Sequence, residues 1–323
     1  MANKINKIGI LTSGGDGPGM NAAIRSCVRY GLHYGLEIAG IMRGYQGLLD
    51  EDIIALNHRS VSNIINRGGT ILKTARSKEF STDEGKAKAA ENARKHGIDG
   101  LVVIGGDGSY RGASRLYELH GIPTIGLPGT IDNDLNGTDQ TIGCATAIDT
   151  ALESIDKIRD TAQSMERVFV IEVMGNKSGY IAMEVALAAG AEDVIIPERA
   201  FDYKNMHDEI LEASRKGKVS YIVIVAEGAA TAPVVAENIN RSTGLETRYV
   251  TLGHVQRGGT PSGTDRILST RLGAAAVDLL LNGIYGKAVG VLEDEINVID
   301  LKDATRRTHA DMEQRYELLK ILT

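Results

Sequence analysis

The chain has 323 residues, of which 42% are hydrophobic, and its formal net charge is −6. This length allows one large or two moderate domains, and no stretch approaches the ~20 consecutive apolar residues of a membrane-spanning helix. The acidic balance and the absence of a long Lys/Arg run argue against nucleic acid as a partner.

The sequence begins MANKINKIGIL, passing from a short polar lead directly into a strand-like run. It contains neither the apolar region nor the small-residue cleavage site of a secretory signal. The two cysteines, Cys27 and Cys144, have no metal-type spacing, and we interpret them as buried, reduced thiols. We therefore expect a cytoplasmic protein.

Strand-like and helix-like segments alternate along the chain. Short β-branched runs predict strands at 7–12, 36–42, 99–106, 122–127, 167–173, 193–198, 220–227 and 287–293, and helical spacing predicts helices at 19–34, 83–96, 143–163, 178–189 and 265–282. Most of these strands are apolar on both faces, as parallel strands covered by helices require. The pattern predicts an α/β protein with two doubly wound domains and largely parallel sheets; a single sheet of nine strands is less favoured at this length.

Three glycine-rich segments directly follow predicted strands: Gly14-Gly15-Asp16, Gly105–Gly108 and Pro128-Gly129. Ligands of open α/β sheets bind beyond the carboxyl ends of the strands, and glycine at a helix N-terminus lets backbone N–H groups approach an anion. We expect the first helix to begin near Gly19 and Ser109 to cap the helix after the second loop. A tight strand-to-helix turn would explain each loop alone, but the three together indicate nucleotide phosphates.

The common phosphate-binding fingerprints are missing, since the chain has no G-x-x-x-x-G-K-[ST], no G-x-G-x-x-G and no kinase H-R-D. A bound nucleotide would then depend on Mg²⁺ and on arginines such as Arg67, Arg76 and Arg257. Any one of these arginines alone is more simply explained as a solvated loop or cap residue. Asp107 is the candidate Mg²⁺ ligand, because Mg²⁺ takes one or two carboxylates together with phosphate oxygens and water.

The segment LPGTIDNDLNGTDQ (127–140) places Asp132, Asp134 and Asp139 just after a predicted strand. Phosphoryl transfer to an alcohol needs a carboxylate that accepts the hydroxyl proton. Asp132 is the candidate for this role, with Thr130 holding the acceptor and Asp134 orienting the site. The alternative is that Asp132 and Asp134 satisfy N–H groups of the turn, and the aspartates alone favour this alternative.

Eight motifs occur in a fixed order: LTSGGDGPGMNAAIR, INRGGTIL, VVIGGDGS, PGTIDND, RVFVIEVMG, AEG, TRYVTLGHVQRGG and DRILSTRLG. Together they resemble the bacterial ATP-dependent 6-phosphofructokinases (phosphofructokinase type A family) over almost the whole chain. PGTIDND and GHVQRGG are highly specific, whereas GGDGS also occurs in other kinase families. The resemblance implies the phosphofructokinase fold and glycolytic transfer of a phosphoryl group from MgATP to the 1-hydroxyl of fructose 6-phosphate.

The resemblance also assigns site residues, with Asp132 as general base. Catalysis further involves Thr130, Arg76 and Gly15. ATP would contact Gly15, Tyr45, Arg76, Ser77, Gly106, Asp107 (which holds Mg²⁺), Gly108 and Ser109. The sugar phosphate would contact Thr130, Ile131, Asp132, Met174, Gly175, Asn176, Glu227, His254 and Arg257, with Arg167 and Arg248 reaching in from a neighbouring subunit of a homotetramer. ADP and phosphoenolpyruvate, as allosteric effectors, would contact Arg25, Arg29, His58, Arg59, Arg159, Gly190, Glu192, Lys216 and Lys218.

Two glycines bear on the phosphoryl donor. Relatives that use pyrophosphate read GGDD and PKTIDND where this chain has Gly108 and Gly129. An aspartate at the first position would repel an α-phosphate, and the lysine at the second would neutralise a phosphate leaving group. Both glycines therefore favour ATP.

Three departures from the family pattern keep alternatives open. Asn176 stands where an arginine commonly neutralises the phosphoryl group in flight, and Lys177 is the candidate substitute. Ser77 replaces a bulkier residue, and His58 replaces an arginine of the effector site. The alternatives are a kinase for another sugar phosphate (tagatose 6-phosphate or sedoheptulose 7-phosphate) and a catalytically weakened regulatory homologue.

In the family the chain crosses between two domains more than once. The resemblance therefore implies an ATP-binding domain of residues 1–143 plus 256–306. It implies a sugar phosphate and effector domain of residues 144–255 plus 307–323.

Overall fold

The structure is a computed structural model that describes residues 5–305 and 311–323. These residues form two compact units. The first contains residues 5–131, 135–146 and 257–305, and the second contains 132–134, 147–256 and 311–323. Compared with the expected ranges, the main difference is that 132–134 group with the second unit; residues 307–310 lie outside the described residues.

Eleven strands and eleven helices occur in the described residues and are numbered here in chain order. The strands are β1 Lys7–Ser13, β2 Glu37–Ile41, β3 Ile53–Leu56, β4 Gly100–Gly105, β5 Thr124–Pro128, β6 Val168–Val173, β7 Asp193–Ile195, β8 Tyr221–Ala226, β9 Thr247–Thr251, β10 Lys287–Leu292 and β11 Glu295–Asp300. The helices are α1 Met20–His33, α2 Tyr45–Leu49, α3 Asp83–Lys95, α4 Asp107–His120, α5 Cys144–Met165, α6 Tyr180–Ala189, α7 Tyr203–Arg215, α8 Ala232–Thr243, α9 Gly263–Leu281, α10 Leu301–Ala304 and α11 Met312–Leu322.

The first unit is built on a seven-stranded sheet in the order β11-β10-β5-β4-β1-β2-β3. Its five inner strands are parallel, and only the outermost pairs, β10–β11 and β2–β3, are antiparallel. Successive residues of a strand point to opposite faces. Ile10 of β1 accordingly packs in the core that includes residues of α1 and α9, whereas Leu11 packs in the core that includes residues of α3 and α4.

The second unit is built on a four-stranded sheet in the order β7-β8-β6-β9, and all of its pairs are parallel. One face of β6 and β8 packs on apolar residues of α7 and α8, among them Met206, Ile210, Val235 and Ile239. The predicted α/β class with largely parallel sheets is confirmed.

The sequence prediction missed three strands, and each of them is the edge strand of a sheet. β3, β9 and β11 leave much of their surface exposed, in contrast to the fully buried β4 and β8. A search for runs that are apolar on both faces finds inner strands and passes over edges, because an edge strand alternates between core and solvent. Within the described residues, no helix combines the length and hydrophobicity needed to cross a bilayer.

Candidate functional site

The three glycine loops of the first unit lie side by side, because β1, β4 and β5 are neighbours that run in the same direction. The Gly129 N–H donates a hydrogen bond of 3.1 Å to the Gly105 carbonyl. A Cβ at Gly105 would overlap the Ser13 carbonyl oxygen, and one at Gly106 would lie 3.6 Å from Thr130 Cβ. The loops therefore meet at one end of the sheet, and Gly105 has no room there for a side chain.

The second glycine loop leads directly into helix α4, which begins at Asp107 with Gly106 as its N-cap. The expectation that Ser109 caps this helix is wrong, because Ser109 already lies in its first turn and is buried. The carbonyl of Ser109 accepts a 2.6 Å hydrogen bond from the Tyr45 hydroxyl. The N–H groups at the start of a 14-residue helix are suited to an anion, since they have no partner within the helix.

Tyr45 lies behind this loop and is buried. Its ring stacks on Phe80 with 3.9 Å between centroids, and burial raises the pKa of its hydroxyl. Ser77 in turn accepts a 3.1 Å hydrogen bond from the Phe80 N–H. A Cβ at Gly112 would come within 2.9 Å of both rings, so this glycine is required for the stack. Tyr45 thus supports the second glycine loop directly, and Ser77 does so through Phe80, which sequence reasoning did not single out.

Asp107 is the residue of the loops that is best placed to hold a cation. Its Oδ1 accepts a 2.5 Å hydrogen bond from the Gly108 N–H, and its Oδ2 lies 2.6 Å from Nη2 of Arg111. The described residues contain no cluster of three His, Cys, Asp or Glu that could hold a metal by themselves. One half-buried carboxylate beside a phosphate-type loop fits Mg²⁺, which completes its coordination with phosphate oxygens and water.

Arg257 lies against the first glycine loop. Its Nη1 donates a 3.0 Å hydrogen bond to the Asp16 carbonyl, and a Cβ at Gly15 would overlap the guanidinium. Thr130 and Ile131 follow β5 at the same edge of the sheet and are buried. The predicted residues Gly15, Thr130 and Arg257 therefore all occur around the glycine loops of the first unit, and Arg76 is an exposed residue of the same unit.

In the second unit, predicted sugar phosphate residues follow the carboxyl ends of three adjacent strands. Met174, Gly175 and Asn176 follow β6, Glu227 follows β8, and His254 lies just beyond β9. Oε1 of Glu227 accepts hydrogen bonds from the N–H groups of Gly175 (3.3 Å) and Asn176 (2.8 Å). Parallel pairing of β8, β6 and β9 thus brings these residues to one edge of the sheet.

Asn176 has φ 55°, in the left-handed region that asparagine tolerates better than most side chains. The next residue, Lys177, lines a cavity of about 430 Å³ together with Ile196, Pro197, Glu198, Arg199, Met312 and Glu313. Glu227 does not line this cavity. The position of Lys177 gives no support to its role as a substitute for the missing arginine.

The buried Gln256, which sequence reasoning missed, fixes the loop after β6 by accepting a 2.8 Å hydrogen bond from the Met174 N–H.

Arg167 and Arg248 lie at the other end of the same sheet. Arg167 precedes β6, and Arg248 pairs with Phe169 in the ladder between β6 and β9. One carboxylate, that of Glu246, binds both: it lies 2.8 Å from Nε of Arg167 and 2.5 Å from Nη2 of Arg248. Six residues of β6 separate Arg167 from Met174, roughly 20 Å at the rise of a strand, so these arginines are remote from the sugar phosphate residues of their own chain.

The predicted effector residues occur in both units. Arg159 donates to the carbonyls of Ala189 and Gly190 at the end of α6, and Lys218 lies 3.0 Å from Glu192. Lys216 pairs with Glu212 on α7. In the first unit, Arg25 and Arg29 lie one turn apart on α1, and burial and then Arg29 lower the pKa of Arg25. His58 and Arg59 lie in a turn in which the Arg59 N–H donates to Asn57.

The three aspartates of segment 127–140 have different environments. Asp139 accepts a 2.8 Å hydrogen bond from the Glu293 N–H, and its own N–H donates to the Val291 carbonyl. Its carboxylate therefore satisfies the backbone N–H group of a residue 154 positions further along the chain. Asp132 and Asp134 are both buried, and they group with the second unit.

Comparison with known proteins identifies clear relatives. A family model described as phosphofructokinase matches residues 7–280. ATP-dependent 6-phosphofructokinase 1 of Thermus thermophilus is 55% identical over 306 residues, covering 94% of this chain and 95% of its own. ATP-dependent 6-phosphofructokinase of Thermotoga petrophila is 48% identical over 319 residues, covering 99% and 100%. The resemblance inferred from the motifs is confirmed.

Among solved structures, phosphofructokinase from Saccharomyces cerevisiae matches with a TM-score of 0.86 at 36% identity. The match covers 98% of this chain and 47% of the yeast chain, so this chain spans about half the length of that relative.

Proposed function

Because this chain belongs to the phosphofructokinase family, we propose that it transfers a phosphoryl group from MgATP to the 1-hydroxyl of fructose 6-phosphate, giving fructose 1,6-bisphosphate and ADP. The observation that carries the proposal is the meeting of three glycine loops beyond β1, β4 and β5. The last of these loops opens the motif PGTIDND, which supplies the proposed base.

The donor site is assigned to the first unit. Backbone N–H groups of the glycine loops and of the first turn of α4 hold the phosphates, and Asp107 holds Mg²⁺. When bound, Mg²⁺ neutralises charge on the phosphates as the bond to the transferred group breaks. Arg76 and the loop supported by Tyr45 and Ser77 complete the donor contacts.

Two glycines support ATP over pyrophosphate. A Cβ at Gly108 would meet no atom within 4 Å, so the fold itself does not demand glycine there, and the open space suits a nucleotide. A Cβ at Gly129 would lie 2.8 Å from Ile104 Cγ2 and 3.0 Å from the Gly105 nitrogen. A lysine at this position, which would favour pyrophosphate, has no room without a shift of the backbone.

For the acceptor, Asp132 accepts the proton of the 1-hydroxyl while Thr130 and Ile131 hold the reacting end of the sugar. Met174, Gly175, Glu227 and His254 bind the rest of the sugar phosphate, and Arg257 lies beside Gly15. Because phosphoryl transfer depends mainly on positioning and on neutralised charge, one carboxylate base is sufficient.

Arg167 and Arg248 serve the active site of a neighbouring subunit in a homotetramer of the cytoplasm. Their position at the amino ends of β6 and β9, roughly 20 Å along the sheet from Met174, supports this assignment. The pairing of Glu192 with Lys218, and of Arg159 with the end of α6, supports an effector site for ADP and phosphoenolpyruvate.

The test is a coupled assay of the purified protein with ATP, Mg²⁺ and fructose 6-phosphate. We expect turnover with ATP and none with pyrophosphate, and loss of activity in Asp132→Asn. Turnover that persists in Asp132→Asn would contradict the assignment of the base. Greater turnover with tagatose 6-phosphate or sedoheptulose 7-phosphate would show that Asn176 marks a different acceptor.

A further inference from the structure

Asp265, at the start of α9, is a buried carboxylate to which neither the motifs nor the proposed mechanism assigns a role. It is 0% exposed. Its Oδ1 accepts a 2.7 Å hydrogen bond from the Gly143 N–H. Its Oδ2 accepts 2.8 Å and 2.5 Å hydrogen bonds from the N–H and the hydroxyl of Thr146. Three donors thus converge on one side chain from a segment more than a hundred residues earlier in the chain.

Stabilisation of the fold alone does not explain this buried carboxylate, because apolar side chains could fill the same space. Among the described residues, no Lys, Arg or His forms an ion pair with it. Taking a charge out of water is unfavourable even when hydrogen bonds compensate, and well-packed apolar residues often replace buried charges without loss of stability. The arrangement is instead suited to fix the position of the segment that supplies the donors.

That segment packs directly on the proposed active site of the first unit. A Cβ at Gly143 would lie 3.1 Å from Ile131 Cγ2 and 3.1 Å from the Pro18 carbonyl oxygen. The Ile142 N–H donates a 2.8 Å hydrogen bond to the Pro128 carbonyl. The backbone held by Asp265 therefore contacts Pro128 and Ile131, which flank Thr130 in the chain, and it contacts Pro18 of the first glycine loop.

We propose that Asp265 is a positioning residue for phosphoryl transfer: it holds residues 142–146 against Pro128, Ile131 and the first glycine loop, and so fixes the backbone that presents Thr130 and Asp132. Asp265 itself is enclosed and touches no substrate. This inference rests on the proposed function, because the backbone that it fixes carries the proposed base.

The substitution Asp265→Asn keeps the size of the side chain but changes the hydrogen bonds that position the segment. Asparagine has one acceptor oxygen and an amide that can only donate. One of the two backbone N–H groups then faces another donor, and the segment must shift. A displacement of ~1 Å at a reacting group can lower the rate by about 100-fold, so we expect kcat to fall about 10- to 100-fold while KM for ATP changes by less than about twofold.

Thr146 provides a second pair of variants in case Asp265→Asn does not fold. Thr146→Val removes the hydroxyl that donates to Asp265, whereas Thr146→Ser keeps it. This hydroxyl also accepts a 2.9 Å hydrogen bond from the Ser262 N–H. Thr146→Val therefore loses two hydrogen bonds of ~1 kcal/mol each, and we expect it to lower kcat about 3- to 30-fold and Thr146→Ser to restore the wild-type value. Ser269→Ala is the control, because this buried serine lies one turn further along α9 and its hydroxyl has no partner among the described residues. A Cβ at Gly19 would lie 3.1 Å from this hydroxyl and 3.5 Å from Asp265 Cβ, so both side chains pack on the same residue.

The steady-state assay, normalised to the folded fraction from circular dichroism, distinguishes the outcomes. A fall in kcat that Thr146→Ser restores, with Ser269→Ala unchanged, supports the inference. Wild-type kcat in folded Asp265→Asn and in Thr146→Val overturns it and leaves the proposed function intact. Absence of turnover in the wild-type protein overturns both.

Discussion

Replacing Gly108 with alanine separates ligand binding from folding. Gly108 lies in the first turn of α4, its φ is not in the left-handed region, and a Cβ there would meet no atom within 4 Å. Alanine in a helix is more favourable than glycine by ~0.5–1 kcal/mol. We therefore expect Gly108→Ala to raise the midpoint of thermal unfolding by about 1–2 °C, because the entropy of unfolding grows with chain length.

The same methyl group would occupy the space proposed for the nucleotide phosphates. Each charge-assisted hydrogen bond that the displaced phosphates lose is worth ~1.5–3 kcal/mol. We expect KM for ATP to rise about 10- to 100-fold in the coupled assay at saturating fructose 6-phosphate, although the protein is more stable.

Gly129→Ala provides the contrast to this variant. Its Cβ would lie 2.8 Å from Ile104 and 3.1 Å from Met20 Cε, and overpacking of this kind costs ~1–3 kcal/mol of stability.

Gly108→Ala with a wild-type KM for ATP, at any stability, would refute the placement of the phosphates beside α4.

Four further predictions concern single side chains. Asn176→Arg should raise kcat tenfold or more, because the guanidinium supplies positive charge to the transferred group. It should also lower the free energy of unfolding by ~1 kcal/mol, because φ at this position is 55°. An unchanged kcat would show that another cation already neutralises the transferred group. Tyr110→Phe should raise the free energy of unfolding in urea by ~1 kcal/mol, because the hydroxyl is buried without a partner among the described residues and its cavity has no room for water; a loss of stability would contradict this. Arg111→Gln removes the 2.6 Å ion pair to Asp107, and since such partly exposed pairs contribute ~0.5 kcal/mol, the Mg²⁺ concentration at half-maximal rate should fall about twofold. Burial raises the pKa of Asp265. The stability that this shift contributes is therefore fully present below the ordinary aspartate pKa and is lost as pH rises through the pKa of the folded state. If the free energies of unfolding of wild type and Asp265→Asn differ by a constant amount from about pH 3 to 7, the pKa is not raised.

The sequence by itself determined the inner framework of the fold. Strands such as β1 and β8 are apolar on both faces and β-branched, and these properties can be read without knowing the neighbours. The glycine loops were also visible, because glycine directly after a buried strand is typical of a turn that the backbone or a ligand approaches closely. Motif order then identified the family.

Only the tertiary structure decided which strands form edges and which side chains hold the loops in place. Each of β3, β9 and β11 is a strand because a neighbouring strand pairs with one of its sides. Their half-exposed sequences alone do not predict a strand. Local sequence likewise suggested Ser109 as a cap, but the path of the chain from β4 makes Gly106 the N-cap. Gly143 lies 122 residues from its partner Asp265, Met174 lies 82 from Gln256, and Arg167 lies 79 from Glu246. A hydrogen bond needs two groups within about 3 Å, and across such separations that proximity is a property of the folded chain, to which local residue pattern gives no access.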